Sequence, residues 1–166
     1  MTNGANPYIT LNIYAGTSES GKVAVEEVVV EHLLDQQYLL LSAPGLALNL
    51  AKNDIFEWMD AQQPVGLIKR DGNFNIHIYH AQLSLEEYED FKAELWAYLG
   101  GTIDGIRDNN LAITIPAQQG IDKINGFFIN FANLTQNEWM FTNIYKNYQD
   151  LSDDTLLDWW EQDLTQ

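Results

Sequence analysis

"LSLEEYEDFKAELWAYLGG", residues Leu83–Gly101, is the stretch on which the fold turns. Leu85, Tyr88, Phe91, Leu95 and Leu99 recur at three- and four-residue spacing, which places them on one face of an α-helix. Ser84 is a natural N-cap, and Glu87 three residues on completes a capping box. Gly100-Gly101 supplies the stop. The helix follows a segment of period two, "PVGLIKRDGNFNIHIYH" (Pro64–His80), which reads as two strands around the hairpin signal Asp71-Gly72.

Further along, "TIDGIRD" and "LAITIPA" read as two strands around Asp108-Asn109-Asn110. "GIDKINGFFINFANL" (Gly120–Leu134) is a second helix, with Ile121, Ile124, Phe128 and Phe131 on one stripe. "EWMFTNIY" (Glu138–Tyr145) is a last strand. From Phe74 the order is therefore β-α-β-β-α-β, the ferredoxin-like arrangement. It predicts a four-stranded antiparallel sheet with both helices on one face.

Before this half the chain is rich in strands: Tyr8–Gly16, Lys22–Leu33, Gln37–Gly45 and Asn53–Met59, each bounded by turn residues. Short strands so spaced predict a small, strongly bent antiparallel sheet or open barrel. The fold class expected is thus α+β: a β-rich half over residues 1–73, a ferredoxin-like half over 74–149, and an acidic C-terminal helix over 150–166, together one compact unit. Phe74–Tyr79 is expected to pair with Val65–Arg70 and so join the halves.

From about Lys22 to Tyr145 the chain resembles a bacterial domain family of unknown function. "LLLSAPGLALNLAKNDIFEW" carries the first part of that pattern, a strand ending in a proline turn and then a short loop into an aspartate. "VGLIKRDGNFNIHIYH" carries the second, two strands about a glycine turn. Two positions depart from it: Lys52-Asn53 stand where the pattern has glycine before Asp54, and Gly45 replaces a bulky residue after Pro44. The resemblance implies the two-part fold and brings no catalytic motif. The second half is also similar in layout to a small bacterial inhibitor of ribonuclease E.

The chain has 24 Asp and Glu against 8 Lys and Arg, a net charge of −16 over 166 residues. Such a field repels nucleic acid and anionic membrane and attracts basic partners. Cysteine is absent, which excludes disulfides, thiolate chemistry and cysteine zinc sites. "MTNGANPYIT" shows no secretory pattern, and no apolar run has the length of a membrane span, so the cytoplasm is the expected location. His77 and His80, three apart on a strand, point to opposite faces and make a poor metal pair. "GTSESGK" (Gly16–Lys22) has Val23 where a phosphate loop has Ser or Thr, and it precedes a strand. No cofactor or metal is expected.

The carboxylates show more order. Glu86, Asp90 and Glu94 recur every four residues and form an unneutralised stripe on the first helix. "DLSDDTLLDWWEQDL" (Asp150–Leu164) holds six carboxylates and no base. Read as a helix capped by Ser152, it puts Leu156, Leu157, Trp160 and Leu164 on one side as the anchor to the body. Asp154, Asp158 and Glu161 then face outward, with Trp159 bordering them. An aromatic rimmed by charge is a common interface composition.

The partner-binding residues expected are therefore Asp154, Asp158, Trp159, Glu161, Glu86, Asp90 and Glu94, and the partner a basic protein. Direct contact with nucleic acid or membrane is not expected. The leading functional expectation is a cytoplasmic immunity or antitoxin protein that neutralises a basic bacterial toxin, in particular a nuclease. A nucleic-acid mimic or regulator of a host nuclease is the alternative, and an enzyme or small-ligand binder using the cleft between the halves the second.

Overall fold

The structure, a computed structural model, describes residues 8–161. Five strands, β1 (Tyr8–Thr17), β2 (Val23–Leu34), β3 (Gln37–Leu40), β4 (Ile55–Glu57) and β5 (Gly66–Lys69), form an antiparallel meander in chain order. Strand alternation sends Leu11, Ile13, Val28, Val30, Leu40 and Phe56 to one face, where Ala47 and Leu50 join them in a core. The sheet curls enough for Trp58, just past β4, to donate its Nε1–H to the Asn12 carbonyl of β1 at 3.0 Å. The outer strands β1 and β5 do not pair, so the barrel stays open. β3 ends at Leu40, earlier than expected, because the next segment is drawn away from the ladder. Pro44 lacks a donor, and the Glu26 carboxylate of β2 accepts the backbone N–H groups of Gly45, Leu46 and Ala47 at 2.7–2.9 Å.

The second half is β6 (Asn73–Ile78), α1 (Leu85–Leu99), β7 (Thr102–Arg107), β8 (Asn110–Pro116), α2 (Ile121–Thr135) and β9 (Trp139–Phe141). The strands stand in the order β7-β8-β6-β9, every neighbour antiparallel, as the β-α-β-β-α-β succession predicts. Both helices cover one face. Phe91, Leu95 and Leu99 of α1 and Ile124, Phe128 and Phe131 of α2 bury against Phe74, Ile76, Ile78, Ile113 and Ile115. The capping box is present: Ser84 Oγ accepts from Glu87 N, and Glu87 Oε1 from Ser84 N, both at 3.1 Å. Gly100 takes a left-handed φ of 60°. A side chain at Gly101 would bring its Cβ to 2.9 Å from Leu95 Cγ, so the second glycine lets helix and strand approach. Asp108 and Asn109, both at positive φ, make the tight turn between β7 and β8. Leu85, expected on the packed face, is exposed in the first turn.

Two expectations are corrected. The Asp71-Gly72 turn exists, with Gly72 at φ 98°, but it does not close a hairpin. β5 pairs with β4 and β6 with β8 and β9, so the chain changes sheets at this turn. The Asp71 N–H is taken by the Asp54 carboxylate at 3.1 Å and the Gly72 carbonyl by Ala117 N at 2.8 Å. Those bonds pull the two sides of the turn toward different sheets.

The C-terminal helix is likewise absent among the described residues. Asp150 accepts from both N and Oγ of Ser152, and Asp153 accepts from Thr155 N, so Ser152 caps nothing. These local bonds compete with helical ones, and clustered carboxylates add repulsion. The segment runs instead as a strap, bridged at Tyr145 and Leu156. Lys146 N bonds Thr155 O at 2.8 Å, and Leu157 N bonds Ile144 O at 2.7 Å. One 3-10 turn follows, Trp159–Glu161. Trp160 is buried with its ring 5.8 Å from Phe74, and Leu157 packs beside it, but Leu156 is exposed. Leu164 lies outside the described residues.

Candidate functional site

The geometry singles out two places. The first is a polar seam between the halves. Alternation along β6 turns Phe74, Ile76 and Ile78 toward the helices and Asn75 and His77 toward the loop that joins β3 to β4. Asn75 donates through Nδ2 to the carbonyls of Pro44 at 3.0 Å and Leu50 at 3.1 Å. His77 Nε2 stands 2.6 Å from the Pro44 carbonyl and so carries the proton. Its Nδ1 accepts from the Tyr79 hydroxyl at 2.6 Å. Burial holds the imidazole below its ordinary pKa, although the Pro44 bond and the Glu26 charge pull the other way.

Asp54 is fully buried and accepts from Ala51 N at 2.9 Å and Asp71 N at 3.1 Å. Arg70 Nη1 lies 3.9 Å from it. Burial dominates these favourable contacts and pushes the Asp54 pKa up to about 6. Arg70 also donates to Asn49 Oδ1 at 2.6 Å and lies 5.5 Å from the Trp159 ring centre. Asp104 accepts from Ala43 N, Thr102 Oγ1 and Thr114 Oγ1 at 2.7–2.8 Å. Asp54 holds backbone in place, and Asp104 holds one amide and two hydroxyls. Among the described residues no group of three or more His, Asp and Glu could hold a metal ion.

The departures from the family pattern have a physical account here. Asn53 adopts φ 70°, the left-handed conformation that the expected glycine would supply. A Cβ at Gly45 would make only ordinary contacts, 3.7 Å to Glu26 Oε2 and 4.0 Å to Ala112 Cβ.

The second place is the outer groove between α1 and α2. Phe91, Phe127 and Phe131 form its floor, with Phe91 and Phe131 ring centres 4.5 Å apart. Glu87, Asp90 and Glu94 line the α1 edge. A hollow of about 160 Å³ lies there, and a second, of about 660 Å³, adjoins it at Glu94, Phe127 and Asn130 and reaches Tyr98 and Gly126. Lys123, a cation on its wall, is engaged locally: its Nζ lies 4.5 Å from the Tyr98 ring centre and 3.0 Å from Gln119 Oε1.

Of the acids singled out on α1, Asp90 and Glu94 thus border the groove, whereas Glu86 is exposed but does not line it. Glu87, read in the sequence only as a capping residue, does. Asp154, Asp158 and Glu161 are exposed on the strap, a separate element. The Trp159 ring lies 4.9 Å from Phe74, half-buried, and its Nε1–H donates to Asn143 O at 2.8 Å. Sequence reading also missed Glu26, Asp54 and Arg70. Asp54 had a signal as the aspartate of the family pattern, whereas Glu26 and Arg70 stand beside other charged residues, Glu27, Lys69 and Asp71, and had none.

A family model described as a domain of unknown function (DUF4265) matches residues 26–139. Among solved structures, the chain is similar to one titled "Novel crystal structure of a hypothetical protein from Neisseria gonorrhoeae". Identity is 22% and the TM-score 0.59, over 81% of this chain and 92% of that one, a likeness of fold. No curated protein matches the chain.

Proposed function

We propose, from the premise that the chain belongs to the DUF4265 family of domains of unknown function, that it is a binding protein for a basic protein partner. The observation that carries this reading is the α1–α2 groove: an aromatic floor edged by Glu87, Asp90 and Glu94, with Lys123 turned to local contacts. A basic partner gains there twice, from burying apolar surface on the floor and from charge complementarity at the edge. The net charge of −16 speeds the encounter through its long-range field. In its finer form the protein is a cytoplasmic immunity protein that neutralises a basic bacterial toxin, a nuclease above all, since nuclease clefts are positive.

The test is co-expression with the products of the adjacent genes, scored by growth. A product toxic alone and harmless beside this chain supports the proposal. Asp90→Asn with Glu94→Gln should then lose protection and slow association, with a flatter salt dependence. Full protection by that variant sinks the groove reading. Binding of duplex or single-stranded nucleic acid in a low-salt mobility shift sinks the basic-protein reading.

A further inference from the structure

The curled sheet leaves a gap between its outer strands, and that gap is a cavity of about 370 Å³. Tyr14–Thr17 at the end of β1 form one wall. Pro64, Val65 and Leu67 around β5 form the opposite wall. Leu48–Leu50 make the floor, and Tyr148, Gln149 and Leu151 of the strap cover a side. The volume falls within the usual range for small-ligand sites, and the mouth of an open barrel is a common place for one.

The lining is chemically selective. In a chain of net charge −16, no charged side chain among the described residues contributes to it. Most of the lining is aliphatic, and the polar groups are few: the Tyr14 and Tyr148 hydroxyls, Thr17, Asn49 and Gln149. The Tyr14 hydroxyl is engaged with Thr17 Oγ1 at 2.6 Å, and Asn49 Oδ1 with Arg70. Burial and the nearby Tyr14 push the half-buried Tyr148 phenol above its ordinary pKa, so at neutral pH it keeps its proton and can donate. An anion would meet no cationic side chain in the described lining, Arg70 behind Asn49 being engaged with Asn49 and Asp54, and a cation would lose its hydration without a carboxylate to replace it.

We propose that this cavity binds a small uncharged molecule, a one- or two-ring compound carrying a carbonyl or hydroxyl acceptor toward Tyr148. The site is separate from the α1–α2 groove, and its occupancy is independent of the basic-partner reading.

The probe is Prodan, an uncharged naphthalene ketone whose emission shifts to the blue in apolar surroundings. Titrated into the intact protein, it should give a saturable, one-to-one blue-shifted signal. Val65→Trp, which fills the gap, should abolish the signal. Tyr148→Phe, which removes one hydrogen bond, should weaken affinity about five- to tenfold. Phe127→Ser, in the helix groove, should leave it unchanged. Thermal unfolding of each variant checks that it is folded. An unsaturable signal, retention in Val65→Trp or loss in Phe127→Ser overturns the proposal, as does equal affinity for the anionic dye ANS. If Val65→Trp does not fold, Tyr148→Phe decides, and unchanged affinity in that variant overturns the assignment.

Discussion

Ile76 and His77 are neighbours in the chain and equally buried, yet they meet opposite surroundings. Ile76 faces two helices across a layer of phenylalanine, isoleucine and leucine side chains. His77 faces a loop whose carbonyls and amides are claimed one by one by Asn75, His77, Glu26, Asp54 and Asp104. The apolar face gains stability without directional demands, because burial of hydrocarbon is nearly orientation-free. The polar face gains less per contact, since each bond replaces one to water. What it contributes is position, because an unmatched buried donor or acceptor is costly and alternative registers are thereby excluded. One strand thus stabilises the ferredoxin-like half with its even residues and aligns the β-rich half with its odd ones.

The largest test strikes the apolar face. Phe128→Ala removes a fully buried ring that meets Phe91, Phe131 and Trp139. It should cost about 3–5 kcal/mol in denaturant unfolding. A loss below about 1 kcal/mol would mean that the helices do not rely on this layer.

The second test reads pH on the polar face. The folded-state pKa of Asp54, about 6, lies above its ordinary value of 3.8. Its contribution to stability is therefore fully present below the unfolded value and is lost as the pH rises through the folded one. Relative to Asp54→Asn, the unmodified protein should lose up to about 3 kcal/mol between pH ~4 and ~7. A flat difference across that window would place the carboxylate in contact with water.

Third, Asn75→Ala strands the Leu50 carbonyl, leaves the Pro44 carbonyl to His77 alone and should cost about 1–3 kcal/mol. The sharper readout is amide exchange, which should quicken in the loop between β3 and β4 while the α1 and α2 amides hold. Uniform quickening would show that the faces are not separable.

The smallest effect belongs to the surface. Asp90→Asn with Glu94→Gln relieves a like-charge i,i+4 pair and should raise stability by about 0.2–0.5 kcal/mol, seen as a slight rise in unfolding temperature. A marked loss would mean that the groove acids carry structure.

The apolar face was legible in the sequence because period identifies it. Phe91, Leu95 and Leu99 at helical spacing, a capping box and a double glycine specify α1 without any distant partner. The order of elements then left one topology. The polar face was not legible. Asn75 to Pro44 and Asp104 to Ala43 join residues 31 and 61 apart, and no local pattern announces such a bond. The Asp71-Gly72 turn was misread for the same reason: its local chemistry favours a hairpin, and Asp54, seventeen residues earlier, overrides it. In the strap, leucines and tryptophans at helical spacing were outweighed by Asp150 and Asp153 binding their own neighbours. Of the candidate site, the α1 acids were visible as charge. Their groove was not, because it exists only once α2 lies beside α1.

The Asn75 bridge has a consequence for the order of events at the ribosome. Synthesis delivers β1 to β5 and their loop first. At that moment the carbonyls of Pro44 and Leu50 have only water to bond, since their donors lie on β6, still to be made. β6 in turn lies between β8 and β9 in its sheet and is flanked only when β9, the last strand, arrives. The loop between β3 and β4 is therefore the part of the β-rich half that sets last, waiting on residues nearly a hundred positions downstream.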